Sequence, residues 1–153
     1  MTVHDFYMRR AFDLALSAAD KGNHPFGAIL VHNGEVMLTA ENTVNTDNDQ
    51  TRHAELNLIA EARRTTPLST LKECTLYSST APCPMCTYAM WEAGIGRIVY
   101  GVTYATFAKL ITGGAPYITC EEIYKRLRTP VEIMGGVLEG EGTKVFEHWP
   151  KKQ

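Results

Sequence analysis

Two cysteines three positions apart, Cys83 and Cys86 in the stretch Thr80-Ala81-Pro82-Cys83-Pro84-Met85-Cys86, constrain this chain more than any other feature. With proline just before the first, the pair reads as the opening turn of a helix, where both sulfurs can point at one ion. The positive N-terminal end of that helix favours the thiolate forms that bind metal. Some thirty residues earlier stands His53-Ala54-Glu55. One histidine completes a three-ligand set, and Glu55, two residues on, can sit beside a metal without ligating it. Three ligands leave the fourth tetrahedral position of zinc open to water, which separates a catalytic site from a closed structural one.

Taken alone, Cys-x-x-Cys leaves alternatives open. A strand before it and a helix after it also suit a thioredoxin-like dithiol, and Cys74 or Cys120 could close a structural zinc site. The rest of the composition narrows the setting. A chain of 153 residues with 44% hydrophobic and 21% charged residues is expected to form one compact domain, 1–153, with its own core. It does not need disulfides, so Cys74 and Cys120 are read as free thiols. Net charge is −2, without the basic footprint a polynucleotide partner leaves. No apolar run approaches the roughly 20 residues of a membrane span, and Met1-Thr2-Val3-His4-Asp5 does not resemble a secretion signal. The expectation is a cytoplasmic protein, off the membrane.

Along the chain, apolar residues from Phe6 to Ala19 fall at helical spacing, with Asp5 as a cap and Lys21-Gly22-Asn23 as a stop. Strands are expected over Ala28–His32 and Glu35–Ala40, joined by the hairpin turn Asn33-Gly34. The polar stretch from Glu41 to Thr51 reads as a loop beside the site. A helix begins at His53 and runs to Arg64, a strand covers Cys74–Ser79, and a helix covers Pro84–Ala93, closed by Gly94. A strand at Arg97–Val102, a Gly-interrupted segment, a short helix near Glu121–Leu127, a strand at Pro130–Met134 and a C-terminal helix from Val137 toward Trp149 complete the reading. Strands alternating with helices after a hairpin imply an α/β domain with a mixed five-stranded sheet covered on both faces.

His-x-Glu followed by Pro-Cys-x-x-Cys is the signature of zinc deaminases. On these residues and the element order the chain resembles the cytidine deaminase-like superfamily over nearly its whole length. The branch is that of bacterial guanine deaminases, yeast-type cytosine deaminases and tRNA adenosine deaminases. Pro25-Phe26-Gly27-Ala28 and Pro82-Cys83-Pro84-Met85-Cys86 are most similar to the guanine deaminases. The resemblance implies the three-layer α/β/α fold of that superfamily, Zn²⁺ held by His53, Cys83 and Cys86, Glu55 as proton shuttle, and a homodimer. It implies a small heterocyclic amine as substrate, foremost a guanine-like purine, then cytosine, another aminopyrimidine or a nucleoside, with tRNA adenosine behind them. Asn42 matches the asparagine that hydrogen-bonds the base in such enzymes. Phe26 is placed to stack on the ring, and Ala54, Pro82 and Tyr104 complete the expected substrate contacts. Ala81 stands where many relatives carry Glu, and Tyr104-Ala105-Thr106-Phe107 replaces their acidic segment after the fourth strand. Tyr104, Phe107 and Trp149 are candidates for a lid, Tyr88 and Trp91 for packing. His4, His24, His32 and His148 lack partner spacing and read as surface residues, His24 being the one whose loop leads toward the site.

Overall fold

The computed structural model describes residues 1–114 and 117–150. Helix α1 (Val3–Asp20) opens the chain, and its cap is one step more elaborate than Asp5 alone: Thr2 is the N-cap and Asp5 its capping-box partner. Strands β1 (Gly27–His32) and β2 (Glu35–Glu41) form the hairpin, with Asn33 and Gly34 both at positive φ (50° and 77°) as the two-residue turn requires. The polar loop after β2 contains a single helical turn, α2 (Val44–Asp47), ended by Asn48 in the left-handed region. Then come α3 (Ala54–Thr65), the short α4 (Leu68–Leu71), β3 (Thr75–Thr80), α5 (Pro84–Ala93) and β4 (Arg97–Val102). The Gly-interrupted segment holds α6 (Tyr104–Phe107) and a π-helical turn, Ala108–Thr112. Helix α7 (Cys120–Arg126), β5 (Glu132–Met134) and α8 (Glu139–Gly142) lead into a 3₁₀ segment, Thr143–His148.

The strand order is β2-β1-β3-β4-β5. β1 runs antiparallel to both β2 and β3, while β3, β4 and β5 are parallel, so the sheet is mixed as expected. Side chains alternate across it with period two. Ile29, Val31, Tyr77, Val99 and Val102 pack on Met8, Ala11, Phe12 and Ala15 of α1 and on Val145 and Phe146 of the C-terminal segment. Leu30, Leu76, Ile98 and Tyr100 pack on the opposite side against Leu58, Ile59 and Ala62 of α3, Met90 and Ala93 of α5, and Tyr124 of α7. The result is three layers, helix–sheet–helix. Gly27 lets α1 lie close on the sheet: a Cβ there would stand 2.5 Å from the Ala11 carbonyl oxygen. Among the described residues no helix is long and apolar enough to cross a membrane.

Three of the differences from the sequence reading have local reasons. His53 is the N-cap of α3 rather than its first residue, which sets its side chain ahead of the helix. β5 starts at Glu132 instead of Pro130, because proline has no N–H for the ladder. The C-terminal stretch is not one helix: Gly140 and Gly142 weaken it and Leu138 sits at φ 53°, so it breaks into one α-turn and a 3₁₀ run.

Candidate active site

The C-terminal ends of parallel strands are where α/β sheets place their sites, and β3 delivers the chain from Thr80 through Ala81 and Pro82 to Cys83. Cys83 is the N-cap of α5, with Pro84 at its first position, where a missing N–H costs nothing. Cys86 lies one turn on, fully buried. α3 packs against α5, and its N-terminus brings His53 to the same spot. His53 Nδ1 stands 3.5 Å from Cys83 Sγ and 3.6 Å from Cys86 Sγ. The three donor atoms lie within 4.8 Å of one another. Tetrahedral zinc, with bonds of about 2.3 Å to sulfur and about 2.0 Å to nitrogen, sets sulfur–nitrogen edges of about 3.5 Å. The donor set therefore fits zinc in kind and in spacing.

The electrostatics of the group follow from burial and mutual contact. Cys83 is pulled down to about 4, because the Cys86 thiol donates to its sulfur and His53 lies against it. Cys86 is pushed well above the usual thiol range, since that same donation holds its proton and burial penalises a second anion. His53 rises in response to the Cys83 sulfur. Glu55, in the first turn of α3 and 6% exposed, is raised to about 7 by burial and by the Cys83 charge, with His53 opposing. Without metal, Cys83 is the thiol that favours the thiolate, Cys86 favours its proton, and Glu55 is shifted toward its protonated form.

A cavity of about 210 Å³ opens onto this group. Its wall includes His53, Glu55, Cys83, Thr80 and Ala81 on the metal side and Phe26, Phe107, Tyr117, Trp149 and His24 around the rest. Trp149 stacks on His24 (ring centroids 5.0 Å, interplanar 24°) and meets Phe26 edge-on at 5.6 Å; Phe26 meets Phe107 at 5.8 Å. The C-terminal segment thus stands over the chain's own cavity.

Of the residues expected from sequence, His53, Glu55, Cys83, Cys86 and Phe26 come together here, and so do Phe107 and Trp149 of the lid candidates. Four expected substrate contacts, Asn42, Ala54, Pro82 and Tyr104, are not among the residues lining this cavity. Asn42 is buried, and its Oδ1 accepts the Val44 N–H at 3.0 Å, heading the α2 turn. Ala54 is buried in the core. Pro82 and Tyr104 line a neighbouring cavity with Tyr100 and Glu121. His24 is a wall residue rather than a surface one, and His4 bonds the Tyr77 hydroxyl at 2.7 Å. Sequence reasoning missed Thr80 and Tyr117 as wall residues. Thr80 was visible only as the residue heading the cysteine stretch, and Tyr117 lies in a segment without periodicity. Cys74 and Cys120 are free, as expected, and both are buried.

Residues 1–102 match the family model for the zinc-binding region of cytidine and deoxycytidylate deaminases. The chain belongs to this deaminase family. The match ends with β4, so it takes in the histidine, the glutamate and both cysteines, and the group at the head of the cavity is the part the family's zinc-binding region contains. Among relatives, a Schizosaccharomyces pombe protein named "Probable cytosine deaminase" is 38% identical over 143 residues, 88% of this chain and 85% of that one. The tRNA-specific adenosine deaminase of Bacillus subtilis is 35% identical over 141 residues, 92% and 84% of the two chains. The guanine deaminase of the same organism is 35% identical over 107 residues, 69% of each. Among solved structures, the guanine deaminase from Nitrosomonas europaea superposes with a TM-score of 0.79 over 94% of this chain and 82% of that one. At 18% identity that likeness speaks for the cytidine deaminase-like fold. The chain is a zinc-dependent deaminase of this family.

Proposed function

We propose that this deaminase acts on a small free heterocyclic amine, a guanine-like purine first. Supporting this is one observation above the others: Glu55, His53 and Cys83 share the wall of a cavity of about 210 Å³ lined otherwise mainly by aromatic rings, with Cys86 buried next to His53. Pockets for drug-sized ligands run from about 300 Å³ upward, so this volume suits one or two fused rings. Phe26, Phe107 and Trp149 offer faces and edges to a flat ring.

When bound, zinc supplies the Lewis acidity that brings a water's pKa toward neutrality. His53, Cys83 and Cys86 would hold the ion, and Glu55 lines the cavity beside them. Glu55 takes a proton from the water on a carboxylate oxygen and returns it to a ring nitrogen. With the remaining hydroxyl bonded to the ring carbon, its proton goes by the same carboxylate to the exocyclic amine. The C–N bond breaks, a C–O bond takes its place, and ammonia leaves. Burial holds Glu55 near neutrality in its proton affinity, the range a residue needs to accept and give back protons at pH 7. Phe107 and Trp149 keep bulk water from the ring.

A second reading, cytosine or a related aminopyrimidine, is favoured by the relative from Schizosaccharomyces pombe, which spans most of this chain. A tRNA substrate has the Bacillus subtilis relative behind it, but a chain of net charge −2 lacks the usual basic footprint. As part of the same proposal, the active form is a homodimer, with Tyr88, 49% exposed and beside Trp91 on α5, as a candidate contact. An ammonia-release screen of the zinc-loaded protein over guanine, cytosine, adenine, their nucleosides and a tRNA tests the reading. Turnover of a free base is the expected result, and turnover of the tRNA alone would overturn it.

A further inference from the structure

A second cavity, of about 230 Å³, lies beside the catalytic one, and Ala81 and Tyr117 line both. Ala81 contributes only a methyl group, so the ring of Tyr117 is the larger part of the shared wall. That ring is braced by a residue of the second cavity: Tyr104 lies against it with centroids 3.7 Å apart. Each cavity alone is smaller than a pocket for a drug-sized ligand, which runs from about 300 to 1,000 Å³, and the two joined would fall within that range.

The two spaces differ in chemistry. The metal-side group and the rings of Phe26, Phe107 and Trp149 surround the first, as suits a flat base. The second is lined by Tyr100, Thr103, Thr119 and Glu121, and by no Lys or Arg among the described residues. A carboxylate has about four lone-pair sites. The Tyr100 hydroxyl and the Cys120 thiol donate to that of Glu121 and leave acceptors over. Such a lining matches a neutral, hydroxyl-bearing group, whereas a phosphate calls for cationic donors. A nucleoside differs from its free base by a group of this kind, the ribosyl ring.

We propose that Tyr117 is the specificity-determining residue that separates free bases from nucleosides: its ring closes the catalytic cavity against the space in which a ribosyl group would fit. This rests on the small-heterocycle reading above and names what enforces it.

Ammonia release by the zinc-loaded full chain from guanine, guanosine, cytosine and cytidine tests the proposal, with kcat/KM measured for each. The wild-type protein favours a base over its nucleoside by about a hundredfold, a discrimination built on a clash. Tyr117→Leu shortens the divider and keeps an apolar side chain; Tyr117→Phe keeps the ring and removes only the hydroxyl. In Tyr117→Leu the nucleoside-to-base ratio of kcat/KM rises about tenfold, chiefly through a lower KM for the nucleoside, and in Tyr117→Phe it stays at the wild-type value. A rise in Tyr117→Phe equal to that in Tyr117→Leu overturns the divider in favour of the hydroxyl. An unmoved ratio in a Tyr117→Leu protein of wild-type Tm and zinc content also overturns it, as does a wild-type protein that takes nucleosides as readily as bases. A series on the wild-type protein needs no substitution: with 9-methyl- and 9-ethylguanine, or 1-methyl- and 1-ethylcytosine, kcat/KM falls steeply as the substituent grows, and a flat series overturns the closure. If the wild-type protein releases ammonia from none of the four probes, the small-heterocycle reading falls and takes this proposal with it.

Discussion

His53, Glu55, Cys83 and Cys86 stand at the N-terminal ends of two helices, α3 and α5, that are packed on one sheet face, whereas Phe107, Tyr117 and Trp149 come from a helical turn, an irregular stretch and the C-terminal segment. The first set is held by regular backbone: each side chain's direction follows from its position relative to a helix start, and the helices are fixed by Leu58, Met90 and their neighbours in the core. The second set is held by contacts among the rings themselves, Phe26 with Phe107 and Trp149, and Trp149 with His24. On the proposed reading, chemistry falls on the side held by regular backbone and selection of the ring on the side held by ring contacts. Altering the first set should abolish turnover, and altering the second should shift substrate affinity.

The largest effect expected is from Cys86→Ser. It removes a buried sulfur from the donor set, so zinc by elemental analysis falls well below one per chain, and both turnover and Tm fall with it. Glu55→Gln comes next. It keeps shape and metal, lowers kcat by about 10³-fold for lack of a proton carrier, and leaves zinc content at the wild-type level. A variant that kept wild-type kcat would remove Glu55 from the reaction.

The pH dependence of metal binding is a gentler probe of the same wall. Cys86 holds its proton well above the usual thiol range in the metal-free chain, and zinc needs the thiolate. Loading at pH 7 therefore releases at least one proton, and zinc affinity falls by about tenfold for each pH unit lost per proton released. Loading in a weakly buffered solution with a pH indicator measures it, and an affinity flat between pH 6 and 8 would contradict the proton held by Cys86. Trp149→Ala is the smallest change in the series. With the rings of the other wall loosened, KM rises roughly fivefold, as expected for one lost aromatic contact, while zinc content and kcat stay near wild type. A large loss of kcat there would mean that the two sides of the cavity are not separable.

Much of the rigid side was legible from sequence. Spacing carries geometric information wherever backbone is regular, so Cys83 and Cys86 on one helix turn and His53 two residues before Glu55 could be read as a site directly. The resemblance to zinc deaminases supplied their roles. Asn42 shows a different case: its Oδ1 accepts the Val44 N–H in a turn that the polar loop did not announce, while its side-chain N–H groups take no part in that bond. Tyr104 lines the neighbouring cavity, with its ring against Tyr117 of the catalytic wall (centroids 3.7 Å), a contact between segments that no local pattern announces. Gly140 and Gly142 could have warned against the C-terminal helix, since each weakens a helix by about 1 kcal/mol.

By itself, then, the amino-acid order determined the three-layer arrangement and the metal-binding group, because period-two and helical patterns and short ligand spacings are local properties of the chain. Only the tertiary structure decided that Thr80 and Tyr117 join the cavity wall and that Trp149 stacks on His24 beside them. Those contacts join segments separated by tens or more than a hundred residues, and their geometry comes from how the layers pack, which no local pattern encodes.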